Sequence, residues 1–148
     1  MEPTYDHILS FIKDYFPNYS QHGQIKETHH VMDKFYAPDV VFDDGLVTSR
    51  DQWYKMCLSH PAVQDKLTVE HLSIDVKQKE VGALLRTQAI ERATGKVLVE
   101  LKMNTLYSLK LDDDNSLKIA RVRVYCESDA DKIARLFQVY GPGFKGSE

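Results

Sequence analysis

The chain has 148 residues, 43% of them hydrophobic and 28% charged, which suits one folded domain with a substantial core and excludes a disordered or low-complexity chain. With 19 basic against 22 acidic residues the formal net charge is -3, a balance that argues against nucleic acid or an anionic membrane as partner. No apolar run approaches the roughly 20 residues that span a bilayer, and Met1-Glu2-Pro3-Thr4 lacks the basic and apolar regions of a signal peptide, so the expected location is cytoplasmic.

The first element is a helix. Tyr5, Ile8, Leu9, Ile12 and Phe16 follow helical spacing, and Pro17 is expected to end the segment. After a polar loop over Asn18 to Lys26, Val31, Met32, Phe35 and Tyr36 form the apolar face of a second helix. Pro38 cannot continue that helix, Val40 to Phe42 favour the extended state, and Asp44-Gly45 favours a turn. Asp43 and Asp44 therefore stand where a short strand leaves the core, and because neighbours on a strand face opposite ways, only one of them can point inward. A pair that makes an exposed Asx turn before Thr48 fits the same residues.

Ser49-Arg50-Asp51-Gln52 reads as a capping box for a third helix, with Trp53, Met56 and Cys57 inward and Pro61 beyond its end. The apolar period then changes from about 3.6 to 2. Leu67 to Lys77, Glu80 to Arg92, Lys96 to Leu111 and Leu117 to Glu127 are strand candidates, separated by turn signals at Gln78-Lys79, Ala93-Thr94-Gly95 and Asp112-Asp113-Asp114-Asn115. Connections this short predict an antiparallel meander. The cleanest alternation sets Val99, Leu101, Met103, Thr105, Tyr107, Leu109 and Leu111 on one face, against Glu100, Lys102, Asn104, Ser108 and Lys110 on the other. The last strand is expected to group Ala120, Val122, Val124 and Cys126 opposite Arg121, Arg123 and Tyr125, with the arginines at solvent or a subunit interface. Ser128 with Asp131 is expected to cap a final helix carrying Ile133, Leu136 and Phe137 inward, ended by Gly141-Pro142-Gly143.

Without a repeat or linker, residues 1–148 read as a single α+β domain with its core over about 5–137. Cys57 and Cys126 lie in apolar patterns without metal-ligand spacing and predict buried thiols rather than a disulfide or a zinc site. His22 and His29-His30 likewise lack a carboxylate or cysteine at ligand spacing, and no phosphate loop, nucleophile elbow or paired-cysteine motif occurs. Neither a metal nor a cofactor is expected. His71, in Val69-Glu70-His71-Leu72, is suited to proton transfer near neutral pH. Its face depends on two competing alternations: Leu67 and Val69 would share it, whereas Leu72, Ile74 and Val76 would oppose it. Trp53, Met56, Leu85 and Met103 are the candidate apolar lining of a cavity, and each of them also fits as plain core.

The order of elements, together with Phe35-Tyr36-Ala37-Pro38-Asp39-Val40-Val41-Phe42-Asp43-Asp44, resembles the nuclear transport factor 2-like superfamily over residues 5–137. That superfamily includes ketosteroid isomerases, scytalone dehydratase and SnoaL-like polyketide cyclases. The resemblance implies a cone in which a curved antiparallel sheet wraps three N-terminal helices, with a C-terminal helix, around an apolar cavity. It places the general base of ketosteroid isomerases on Asp44, with Gly45 where those enzymes usually carry proline, and it offers Tyr15 and Tyr19 from the first helix as donors to a substrate oxygen. The protonated aspartic acid of those enzymes has no counterpart, since the corresponding strand carries Asn104, Thr105 and Tyr107. Tyr107 could donate in its place. Through the SnoaL-like and dehydratase branches the resemblance makes His71 a second catalytic candidate, oriented by Asp14 or Asp33.

Three functions follow as expectations. The first is a cofactor-independent isomerase, cyclase or dehydratase acting on a small apolar carbonyl or hydroxylated molecule, with Asp44 or His71 as base and Tyr15 and Tyr107 polarising the substrate. The others are a non-catalytic ligand-binding module and a protein-interaction module of the same fold. A homodimer through the open sheet face is expected, as is common in the resembling families.

Overall fold

The structure, a computed structural model, describes residues 2–43 and 49–140. Helix α1 covers Tyr5–His22 and is opened by Thr4, whose side chain accepts from His7 N at 3.2 Å. It runs through Pro17 instead of stopping there. A proline inside a helix leaves the carbonyl four residues back unpaired and costs about 3 kcal/mol. The extra turn survives because it is held on both sides. Tyr19 is buried, Ser20 Oγ accepts from Leu67 N at 3.2 Å, and Gln24, just past the helix, accepts from Asp65 N at 3.3 Å.

The second expected helix is only a 3-10 turn over His29–Lys34, with His29 and Met32 buried. Tyr36 already belongs to β1, Tyr36–Asp43. Helix α2, Arg50–Leu58, begins as expected, with Ser49 Oγ accepting from Gln52 N at 3.2 Å. Four long strands follow: β2 Val63–Asp75, β3 Glu80–Glu91, β4 Val97–Leu111 and β5 Leu117–Cys126. Their tight connections use left-handed backbone at Lys79, Gly95 and Asn115. Helix α3, Ala130–Val139, is capped by Asp129 rather than Ser128.

The strands form one sheet in the order β1-β5-β4-β3-β2. The meander is antiparallel as expected, while β1 joins β5 in parallel, so the sheet is mixed. Its concave face packs on α1 and α2 around a core that includes Ile8, Ile12, Phe16, Phe35, Tyr36, Val81, Leu85 and Ile119. A smaller cluster of Val63, Ala89, Leu98, Val99, Leu101 and Val139 lies under α3, and Met103 touches both clusters.

Two irregularities decide which side chains face inward. In β2, Val69 pairs with Leu85 and His71 with Leu84, so Glu70 is an extra residue, a β-bulge. Leu67 and Val69 before it and Leu72 and Ile74 after it all pack on the core, so both alternations in the sequence hold, one on each side of the bulge. A second shift between β4 and β5 puts Leu117 and Ile119 inward before Val122 and Val124. Ala120 is thereby displaced from the inner face on which the sequence had placed it, and Cys126 is exposed rather than buried. In α3, Val139 is the buried residue and Phe137 is 57% exposed, contrary to the inward position expected for it. Among the described residues no helix is long and apolar enough to cross a membrane.

Candidate functional site

Between the concave face of the sheet, α1 and α2 lies a half-open cavity of about 70 Å³. Its apolar wall is Leu67, Leu85, Met103, Val122 and Val124, and its polar groups come from Tyr15, Tyr19, Tyr36, Thr105 and Tyr107. Phe42 and Trp53 complete it, the indole stacking on Phe42 at 5.1 Å between ring centroids and on Tyr19 at 6.0 Å. That is room for no more than a few waters. Only a small molecule, or one end of a larger one reaching in through the mouth, fits without movement of the walls.

The hydroxyls of Tyr15, Tyr36 and Tyr107 converge. Tyr15 Oη lies 2.6 Å from Tyr36 Oη, and Trp53 Nε1 donates to Tyr36 Oη at 3.3 Å. The Tyr107 hydroxyl lies close to those of Tyr15 and Thr105, both of which influence its titration. The rings of Tyr15, Tyr36 and Tyr107 meet edge to face at 5.6–5.7 Å, which fixes the hydroxyls by packing. Burial first, and the neighbouring phenols after it, push the pKa of Tyr15 well above the ordinary tyrosine range, and burial does the same for Tyr36 and Tyr107. All three are therefore neutral hydrogen-bond donors, and a carbonyl oxygen placed among them would be polarised.

A second polar group adjoins the first. Tyr19 Oη donates to Asp65 Oδ2 at 2.6 Å. Asp65 sits opposite Ala89 on the inward face of β2, and although its backbone lies toward the sheet edge, its Oδ1 is sealed from solvent and has no hydrogen-bond partner among the described residues. Burial raises the Asp65 carboxyl to about 6, and the bond from Tyr19 offsets part of that rise. The same charge, second to burial, raises Tyr19 and the buried Cys57 thiol. An aspartate that gains and loses its proton near neutral pH beside a cavity has the property that acid-base chemistry needs.

The sequence matches no protein-family model, and no curated protein matches it with significance. Solved structures match along nearly the whole chain. A SnoaL-like polyketide cyclase from Agrobacterium tumefaciens superposes with a TM-score of 0.60 at 14% identity, covering 93% of this chain and 99% of that one. A ketosteroid isomerase-like protein from Erwinia carotovora atroseptica gives 0.58 at 17% identity, covering 84% and 96%. An NTF2-like protein from Cytophaga hutchinsonii gives 0.58 at 11% identity, covering 86% and 93%. The chain has the nuclear transport factor 2-like fold. At these identities the likeness establishes architecture, and the chemistry of this nuclear transport factor 2-like domain has to be argued from its own cavity.

Within that cavity the structure brings together Tyr15, Tyr19, Trp53, Leu85, Met103 and Tyr107, all named from the sequence. Met56 is half-buried and packs against the core, but it is not part of the cavity wall. His71 is placed outside. The bulge at Glu70 turns it to the convex face, where it is exposed beside Ser73 Oγ at 3.3 Å and pairs with the exposed Leu84. Neither Asp14 nor Asp33 orients it, since Asp14 pairs with Lys34 and Asp33 accepts from the Tyr54 hydroxyl. Asp43 also faces outward, held by the Arg121 guanidinium. Asp44 lies outside the described residues. Tyr36 and Asp65 do not stand out in the sequence: helical spacing assigns Tyr36 to the end of a helix, and a strand beginning at Leu67 leaves Asp65 outside it. The alternation Val63-x-Asp65-x-Leu67-x-Val69 carries the missing signal, because it extends the inward face of β2 back to Asp65.

Proposed function

We propose that this domain is a cofactor-independent enzyme that takes up a small apolar carbonyl or hydroxylated molecule and moves a proton on it, as an isomerase, cyclase or dehydratase does. The observation that carries the reading is the convergence of the Tyr15, Tyr36 and Tyr107 hydroxyls on an otherwise apolar cavity. Neutral donors clustered in a dry site are suited to an oxygen that becomes negative, because they need no reorganisation as the charge develops. Isomerase-like and cyclase-like proteins among the structural neighbours are consistent with this use of the fold. Asp44 remains a candidate base from the sequence, alongside the acidic group that adjoins the cavity.

Trp53 is the only tryptophan and stands in the cavity wall, so its fluorescence reports occupancy directly. Butanone and cyclopentanone are suitable probes, being apolar, small and exchangeable beside the carbonyl. Binding is expected to change Trp53 emission, and in deuterated buffer the protein is expected to speed loss of the α-proton signals in proton NMR. Tyr15→Phe should slow that exchange by about 100-fold to 1000-fold, the range for removing one donor to a developing oxyanion. Binding without any exchange would favour the second reading, a ligand-binding module, which the small volume of the cavity also suits. We further propose a homodimer through the convex face, where His71, Leu84, Asn104 and Tyr125 form one row across four strands, with Leu84 41% and Tyr125 61% exposed.

A further inference from the structure

We propose that Asp65 is the terminal proton acceptor of this site, reached from the cavity through the hydroxyl of Tyr19, so that the Tyr19–Asp65 pair and not the end of β1 supplies the base. This rests on the cavity chemistry proposed above and names the residues that would drive it. Tyr19 is the link because it lines the cavity while its hydroxyl donates to Asp65 Oδ2, which is not part of the cavity wall, at 2.6 Å. Its single proton is already committed to that carboxylate. Toward the cavity the Tyr19 oxygen therefore presents a lone pair, the opposite polarity from the donors Tyr15, Tyr36 and Tyr107. An acceptor on one wall and donors on another are the two halves of an enolising site.

The surroundings of Asp65 favour proton exchange over a purely structural role. The groups that sense its charge are Tyr19 on α1, Cys57 on α2, Tyr107 on β4 and Tyr140 after α3, all of them neutral acids. No lysine, arginine or histidine among the described residues contributes to its titration, in contrast to Asp39, which is stabilised by Lys110. Both Asp65 Oδ1 and the Tyr140 hydroxyl are buried with no hydrogen-bond partner among the described residues. A carboxylate kept solely for structure would gain from a cation or from a second donor, and this one has neither.

The step balances without a co-reactant. As the Tyr19 oxygen takes a proton from the carbon beside the substrate carbonyl, the original Tyr19 proton passes to Asp65 Oδ2. The C–H and the old Tyr19 O–H bonds break, and a new Tyr19 O–H and an Asp65 O–H bond form. The electron pair of the C–H bond moves into the enolate, whose oxygen rests on the Tyr15, Tyr36 and Tyr107 hydroxyls, and the one negative charge passes from Asp65 to the enolate. Reversal returns the proton to the same carbon or to a conjugated one. Asp65 does not touch the substrate, so it is a positioning and proton-holding residue acting through Tyr19.

The test is α-proton exchange of butanone in deuterated buffers from acid to mildly alkaline pH, followed by proton NMR for the wild type, Asp65→Asn, Tyr19→Phe, Tyr15→Phe and Asp44→Asn, each checked for folding by circular dichroism. The wild-type rate is expected to rise with pH through a midpoint near 6, as Asp65 becomes able to accept. Asp65→Asn and Tyr19→Phe should each lose about 100-fold or more, together with that midpoint. Tyr15→Phe should be slower with the midpoint retained. Tyr19→Phe leaves the carboxylate in place, so it decides the matter if Asp65→Asn fails to fold. A wild-type pH profile in either Asp65→Asn or Tyr19→Phe overturns the relay while leaving the cavity reading standing, as does loss of the profile in Asp44→Asn alone. A wild type that exchanges nothing overturns both.

Discussion

A surface aspartate is indifferent to folding, whereas Asp65 opposes it at neutral pH. Its carboxyl is raised from 3.8 to about 6 by burial, so the folded state holds a proton that the unfolded chain has already released. The sign follows directly: the contribution to stability is full below about pH 4 and is lost as pH rises through about 6. A shift of that size amounts to about 3 kcal/mol at most. Asp65→Asn removes the charge and keeps an acceptor for Tyr19, so thermal denaturation at pH 7.5 should give the variant a higher Tm than the wild type, and at pH 4.5 the gap should shrink to about a third. An equal effect at both pH values would show that Asp65 is not held in this way. The tyrosine cluster was half legible in the sequence, since Tyr15, Tyr19 and Tyr107 all stood on recognisable apolar faces. Tyr36 was hidden because Val31, Met32, Phe35 and Tyr36 mimic helical spacing while the chain takes a 3-10 turn and enters a strand. Asp65 was hidden for a different reason: a carboxylate near Pro61 reads as loop until its face is counted.

Secondary-structure elements were legible where one period ran unbroken, as in β4, and misread where a single residue altered it. Nothing in Val69-Glu70-His71-Leu72 distinguishes an extra residue from a reversal of faces; only pairing with β3 chooses the bulge, because it lets both apolar sets reach the core. Deleting Glu70 should therefore leave a regular strand in the same pairing, with Val69, Leu72 and Ile74 still inward and His71 still outward. Stability measured in urea should then fall by no more than about 1–3 kcal/mol, and a collapse of the fold would show that Glu70 is not the inserted residue. His71→Ala, by contrast, should change stability by no more than about 0.5 kcal/mol and leave Trp53-detected binding intact. A large loss of binding in that variant would contradict its outward placement. At the start of α2, Ser49→Ala should cost about 1 kcal/mol in chemical denaturation, because the first-turn amide of Gln52 loses its acceptor. Pro17 shows the reverse of the bulge: a strong local signal was overridden by the tertiary contacts of Tyr19, Ser20 and Gln24.

For the whole molecule, the proposed dimer predicts a sedimentation-equilibrium mass near twice 17.0 kDa at micromolar concentration, and Leu84→Asp combined with Tyr125→Asp should return it to a single chain. A wild-type protein that sediments as one chain would remove the convex face as an interface. The α+β class and the meander could be read from the sequence because they depend on period and turn length. The parallel seating of β1 on β5 could not, since it joins residues far apart in the chain. The resulting order leaves β2 at a margin of the sheet, thirteen residues long, with backbone amides that could recruit a strand from another molecule. Its first half is closed by α1, where Gln24 and Ser20 occupy the amides of Asp65 and Leu67, and its second half is bent by the residue inserted at Glu70. The clasp that sets Tyr19 against Asp65 and the kink that turns His71 outward thus also guard the domain against amyloid-like self-templating, and loosening the end of α1 should expose a sticky margin as readily as it disarms the cavity.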